Sequence, residues 1–363
     1  MLKRIAPLVA LASILFVPAP VFAASSNTWS AAAGMSAARF GHTATVLLDG
    51  RVLVAGGGSN PDAEIYSPAT GTWSPTGPMT EGRSNQAALR LGDGRVLLVS
   101  GNSSDATSTE IYDPASNTWS STGRLNVARN YAKAVLLNDG RVLAVGGQNP
   151  ATGAALNSAE LYSPATGTWS LTGALKTGRY YHTETLLADG TVLVATGFNP
   201  SVGNGLVTAA ERYSPSTGKW ASAKSNAIAR RNAVAVRLQS GRVLVAGGDG
   251  YGTLSSAELY DPIGNSWSST GSMILPHGLT TGSLLRDGRV LVAGDTYLGD
   301  VYAPAVGTWT STGYQVFTDL QESAAALLPN GTVLLAGGAT NMCDPTGDYC
   351  GYQSTNAAQI YTP

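Results

Sequence analysis

Five arginines, Arg39, Arg83, Arg129, Arg179 and Arg230, each stand ten residues after a tryptophan. Guanidinium groups repeated at that spacing could form a ring that receives a carboxylate or sulfate, since each offers a planar fork of donors. The same stretches carry five glutamates, Glu64, Glu110, Glu160, Glu211 and Glu258, each two residues before a tyrosine. A second role is therefore open, in which every arginine is paired to a glutamate and spent on structure. Where the arginine becomes His277 the glutamate becomes Asp300, and where it becomes Leu320 the partner becomes Gln359. Two positions that change together point to pairing.

Other residues could do acid–base work. Glu322 and Asp319 flank the place where the last repeat lost its arginine, and His277 stands in the repeat before. A carboxylate pair with a nearby imidazole can move protons, although a solvated acidic loop would read the same way. His42 and His182 hold one repeat position, three repeats apart. Phe40, Tyr131, Tyr180, Tyr181, Tyr251, Tyr297 and Tyr314 fall outside the regular aromatic pattern, several near Asn130, Asn149, Asn199 or Asp249. Aromatic rings beside amides and carboxylates line grooves for carbohydrate or peptide. There is no Ser-His-Asp spacing, phosphate-cradling glycine loop or metal-ligand cluster, and no cofactor is expected.

The elements that must hold these residues repeat seven times. Asp49-Gly50-Arg51-Val52-Leu53-Val54-Ala55-Gly56-Gly57 returns at 93–101, 139–147, 189–197, 240–248, 287–295 and 330–338. Asp-Gly, with Asn-Gly in the last copy, predicts a two-residue hairpin turn with positive φ angles, followed by a short apolar strand. A tyrosine follows each hairpin, at Tyr66, Tyr112, Tyr162, Tyr213, Tyr260, Tyr302 and Tyr361. Six of these are followed seven residues later by Trp73, Trp119, Trp169, Trp220, Trp267 or Trp309. Each repeat thus carries four short strands, A and B around the Asp-Gly turn, C with the tyrosine and D with the tryptophan. Tyr361 lacks its tryptophan, and Trp29 near the other end supplies it. The spacing predicts one all-β domain over 24–363, a seven-bladed β-propeller whose ring is closed by an N-terminal strand joining the C-terminal blade.

Length variation is confined to one connection. From the end of strand B to the tyrosine the interval runs from 7 to 23 residues, whereas the other connections hardly change. The B–C loops and the D–A connections must emerge on one face. Loops released from the scaffold's geometry are where binding residues gather, so that face is the expected site, though exposed loops also tolerate insertions without any function.

Lys3 and Arg4 precede an apolar run from Ile5 to Val17, and Val21-Phe22-Ala23 offers a cleavage site before Ala24. This predicts a signal peptide over 1–23 and an exported protein: extracellular, periplasmic or at the cell surface. Its loss would leave 20 basic against 23 acidic residues, a balance that speaks against a nucleic-acid partner. No later stretch is long enough for a membrane span. Cys343 and Cys350 are the only cysteines, and in an exported chain they are expected to form a disulfide. A monomer is expected.

The double glycines, the tyrosines and the tryptophans at fixed remove resemble the kelch repeat, over essentially the whole chain after residue 23. In Leu327-Leu328-Pro329-Asn330-Gly331, Gly337-Gly338 and Gln359-Ile360-Tyr361-Thr362-Pro363, the last blade resembles the propeller of galactose oxidase, and Tyr181-His182 looks like that family's copper pair. The family's radical site also needs a cysteine cross-linked to tyrosine from the first blade. Cys343 and Cys350 both lie in the last repeat, so the resemblance does not extend to the copper site. What it implies is a secreted binding or adhesion module for a glycan or peptide. Its alternative is a carbohydrate-active enzyme of the sugar mutarotase or epimerase kind, or a degenerate oxidase-like protein.

Overall fold

A computed structural model describes residues 27–343 and 350–363, with the backbone alone described for 341–343 and 350. The signal peptide expected over 1–23 lies outside the described residues, as do the side chains of Cys343 and Cys350. Seven four-stranded antiparallel sheets follow one another, with one additional two-stranded hairpin. The described residues contain no helix.

In the third blade strand A is Lys133–Leu136, B is Val142–Val145, C is Ala159–Ser163 and D is Thr168–Leu171. The other blades repeat this order. The seventh takes its D strand from the other end of the chain, where Thr28–Ala32 pairs with Ala358–Thr362 and sets Trp29 opposite Tyr361. The ring is therefore closed by hydrogen bonds within the last blade, and the only edges left are the short outer D strands.

Every B strand is buried along its whole length, from Val52–Ala55 in the first blade to Val333–Ala336 in the seventh. A strand in the middle of a sheet that is covered on both faces must read as continuous Val, Leu and Ala, and it does. The A strands touch their counterparts in both neighbouring blades all the way round, which makes them the inner wall. D strands are outermost and largely exposed.

The Asp-Gly turn differs from the two-residue form expected. Leu47 N donates to Arg51 O at 2.8 Å and Gly50 N to Leu47 O at 3.1 Å, so three residues lie in the loop. Only Gly50 has positive φ, 85°. This is a type I turn closed by a left-handed glycine. Asp49 instead accepts the Arg51 amide on Oδ1 at 3.0 Å, which holds the turn without itself adopting a strained backbone.

Tyrosine and tryptophan pair across strands C and D in every blade, with ring centroids 5.0–5.1 Å apart. Their polar tips bind outside the pair. Trp73 Nε1 donates to Ala33 O at 2.7 Å and Trp220 Nε1 to Gly173 O at 2.7 Å, each reaching the preceding blade. The repeated aromatics are blade-to-blade fasteners.

Candidate functional site

The five arginines are closed in ion pairs. Arg39–Glu64, Arg83–Glu110, Arg129–Glu160, Arg179–Glu211 and Arg230–Glu258 lie at 2.9, 2.6, 2.7, 3.1 and 3.2 Å, with every side chain almost wholly buried. Each arginine also donates to two carbonyls flanking its own B–C loop; for Arg129 these are Gly146 O at 2.7 Å and Ser158 O at 3.1 Å. Each glutamate accepts backbone amides from the chain entering the blade, as Glu160 does from Asn126 and Val127. The pair fixes the loop and the incoming connection together, and none of the five arginines lines the cavity described below.

The sixth blade keeps the device with other groups. His277 bonds Asp295 at 2.7 Å and Asp300 at 3.1 Å. Burial opposes its charge, but the two carboxylates outweigh that and push it up to about 9. In the seventh blade Gln359 Oε1 accepts the amides of Val316 and Phe317. His277 is therefore held in structure. Asp319 is exposed and is not part of the cavity lining. Of the acid–base group expected from sequence, Glu322 alone reaches the cavity.

The cavity sits at the mouth of the channel on the loop-bearing face. It measures about 370 Å³ and takes lining residues from all seven blades. Its rim is built by the residue two after each arginine position. In six blades that residue has left-handed backbone: Gly41 (φ 64°), Asn85 (55°), Tyr131 (54°), Tyr181 (55°), Asn232 (56°) and Glu322 (53°). Peptide groups join the rim from blade to blade, with Asn85 N donating to Gly41 O at 2.6 Å and Gly41 N to Glu322 O at 3.1 Å. Glycine and asparagine tolerate this backbone; tyrosine and glutamate do so at a cost of about 1–2 kcal/mol each. Tyr131, Tyr181 and Glu322 are thus held in strained positions facing the cavity.

The tyrosines form one cluster. Tyr131 and Tyr181 lie 4.6 Å apart, Tyr180 and Tyr181 4.9 Å, and Tyr180 and Phe198 5.5 Å between ring centroids. Arg231 lies over Phe198 at 5.1 Å; it is the arginine next to the buried Arg230 and has no carboxylate partner among the described residues. A second hollow of about 480 Å³ adjoins the mouth, sharing Tyr181, Asn232, Leu279 and Glu322 and reaching Arg231, Asp249 and Tyr352.

Beneath the rim are Lys133 and Glu184. Burial raises Glu184 well above the usual carboxylate range, with Lys133 pulling the other way. Lys133 is exposed toward the channel, yet the blades surround it on every side. This enclosure lowers Lys133, opposed by Glu184 and Glu322. Glu322 is raised by burial, again against Lys133. Both Glu184 oxygens and Glu322 Oε2 are without hydrogen-bond partners among the described residues. Sequence reasoning missed Asn85, Lys133, Glu184, Arg231 and Asn232. For Lys133 and Glu184 the available signal was their departure from the small, uncharged residues found there in other repeats.

The remaining candidates scatter. His42 Nε2 sits 3.0 Å from Ala336 O, and burial with the nearby Arg39 lowers the ring to about 3. His182 lines the cavity, 1% exposed, with both nitrogens unpartnered. Burial, then Arg179, Lys133 and Arg129, hold it well below the ordinary histidine value. Asn149 and Asn199 shape their own loops by accepting the amides of Ala151 and Ser201. Asp249 accepts from Asn232 Nδ2 at 2.9 Å on the groove wall.

Copper does not fit this donor set. Among the described residues no three of His, Cys, Asp and Glu gather as metal ligands. His42 and His277 are committed to Ala336 and to the two aspartates. Tyr181 packs its ring into the tyrosine cluster.

Comparison with known proteins agrees with this geometry. The Kelch motif matches residues 39–80, 129–173 and 230–274, each match opening on one of the buried arginines. No curated protein sequence matches the chain. Among solved structures, a fungal alcohol oxidase of the AA5 family in complex with copper superposes with a TM-score of 0.75 at 18% identity, over 93% of this chain and 76% of that one. That likeness is one of fold.

Proposed function

From a chain of kelch motifs closed into a seven-bladed β-propeller, we propose an exported binding or adhesion module that takes a glycan at the loop-bearing mouth of its channel. The observation that carries this reading is the rim, where Tyr131, Tyr181 and Glu322 keep a left-handed backbone with their side chains toward the cavity. Strain retained at a concave polar surface is a mark of function. Tyrosine faces suit the apolar side of a sugar ring, and the carboxylate of Glu322 with the amides of Asn85 and Asn232 suits its hydroxyls. The cavity has the size of a small-ligand site.

In this reading the chain acts as a monomer outside the cytoplasm after cleavage between Ala23 and Ala24. Cys343 and Cys350 stand directly opposite in the hairpin above the groove, and a disulfide there would brace Tyr352 against the site. A glycan array probed with residues 24–363, with and without EDTA, tests the proposal. Binding to one glycan class, unchanged by EDTA, supports it; a blank array would turn the reading toward a peptide partner.

A further inference from the structure

At two neighbouring positions of strand A, a charged side chain interrupts a row of small, uncharged residues. Four residues after the arginine position, strand A carries Thr43, Ala87, Thr183, Val234, Thr281 and Ala324 in six blades, and Lys133 in the third. One residue later it carries Ala44, Ala88, Ala134, Ala235, Gly282 and Ala325 in six, and Glu184 in the fourth. These positions face each other across neighbouring blades: a Cβ on Gly282 would lie 2.2 Å from Val234 Cγ1 of the blade before. Lys133 is set against Glu184 in the same way, and each is the other's principal electrostatic partner. Facing charges at the only two departures from small, uncharged residues form a built pair.

The pair does not close. Lys133 has neither an ion pair nor a hydrogen bond among the described residues, and both Glu184 oxygens are unpartnered. The adjacent His182, buried and unpartnered, faces the same cavity. Lys133 lines the cavity, and its amine and the Glu184 carboxyl are electrostatic neighbours with no hydrogen bond between them among the described residues. The choice of lysine is informative too. The chain uses 17 arginines and 5 lysines, and the five blades with a buried Glu-paired cation take arginine for it. Lysine differs in having a nitrogen that can shed its proton and act as a nucleophile.

We propose that Lys133 is an amine nucleophile that reversibly captures the aldehyde of an open-chain sugar admitted through the rim, with Glu184 as the acid for the step. The inference rests on the glycan reading of the mouth. The lone pair of Lys133 Nζ forms a bond to the carbonyl carbon, while the carbonyl π electrons move to oxygen, which takes the proton of Glu184. The nitrogen returns a proton to the Glu184 carboxylate, giving a neutral carbinolamine. A second proton from Glu184 lets the hydroxyl leave as water, and the nitrogen lone pair forms the C=N bond of an iminium ion. Water entering from the channel reverses each step and releases the sugar. No oxidant or reductant is consumed. The enclosure that lowers Lys133 and raises Glu184 favours the neutral amine and protonated acid that the first step needs.

The test is trapping. Residues 24–363 are incubated at neutral pH with glyceraldehyde, an aldose too short to close a stable ring, and cyanoborohydride, which reduces iminium to a stable secondary amine. Peptide mapping then follows Lys133, Lys176, Lys219 and Lys224, the last three exposed on the outer surface. Lys133 is expected to be modified about tenfold or more faster than the others, and Glu184→Gln to slow it by about tenfold while leaving the other three unchanged. Modification of Lys133 no faster than the exposed lysines, in protein with an unaltered melting curve, overturns the proposal. A glycan array run in parallel separates the two readings. Bound glycan with unselective trapping sinks the amine alone, and selective trapping of Lys133 beside a blank array supports the amine and sinks the glycan reading.

Discussion

Arg129 Nη2 lies 2.7 Å from Glu160 Oε1, and neither side chain is exposed. Cutting one partner leaves the other as an uncompensated buried charge, which costs about 3–5 kcal/mol in such pairs. Arg129→Ala should therefore lower the melting temperature sharply, with glycan binding retained by whatever fraction stays folded. Thermal unfolding followed by circular dichroism checks the first part. An unchanged melting curve with binding abolished would return the arginines to the ligand.

This pairing was legible in the amino-acid sequence because the seven repeats can be compared with one another. Arginine and glutamate change together at His277–Asp300 and Leu320–Gln359, and the geometry follows that covariation. The fold was legible for the same reason, down to Trp29 completing the blade of Tyr361. The cavity was less so. Whether Lys133 and Glu184 face solvent, a neighbouring blade or the channel depends on how adjacent sheets are set against each other, and no local pattern carries that. The left-handed rim was hidden as well, since tyrosine and glutamate do not advertise positive φ as Asn85 and Asn232 do.

His277 makes stability depend on pH in the alkaline direction. Its folded value of about 9 stands above the ordinary 6.5. The contribution is fully present below about 6.5 and is lost as pH rises through about 9; the shift corresponds to something on the order of 3 kcal/mol. Melting temperature should fall across that window in the wild type. In His277→Gln it should be lower at the outset and flatter with pH. Parallel curves for the two proteins would contradict the assignment.

Glu322 sets stability against function. Its left-handed backbone (φ 53°) and buried, unpartnered Oε2 both disfavour the folded state. Glu322→Asn places there a residue that tolerates this backbone and carries no charge, and should stabilise the protein by about 1–2 kcal/mol. Glycan binding should weaken at the same time. Stabilisation without any change in binding would remove Glu322 from the site.

Ring closure rests on a short segment. Deleting residues 27–32 removes the outer strand of the seventh blade and exposes the edge that ends in Tyr361, whose hydroxyl donates to Asn27 Oδ1 at 2.7 Å. The protein lacking it should melt at a lower temperature and over a broader range, as an unpaired edge and a broken blade contact would require. An equally sharp transition at the same temperature would mean that the ring does not depend on this strand.

The glycan reading stands most directly on the rim, and Tyr181 is the residue to change. With a glycan identified by array, titration calorimetry on the wild type and on Tyr181→Ala should show Kd rising by up to about tenfold, since stacking on an aromatic face contributes about 0.5–1.5 kcal/mol. Loss of affinity in a protein that still melts as a single folded species would place the ligand at the channel mouth. An unchanged Kd would put the binding surface elsewhere on the propeller and contradict the reading.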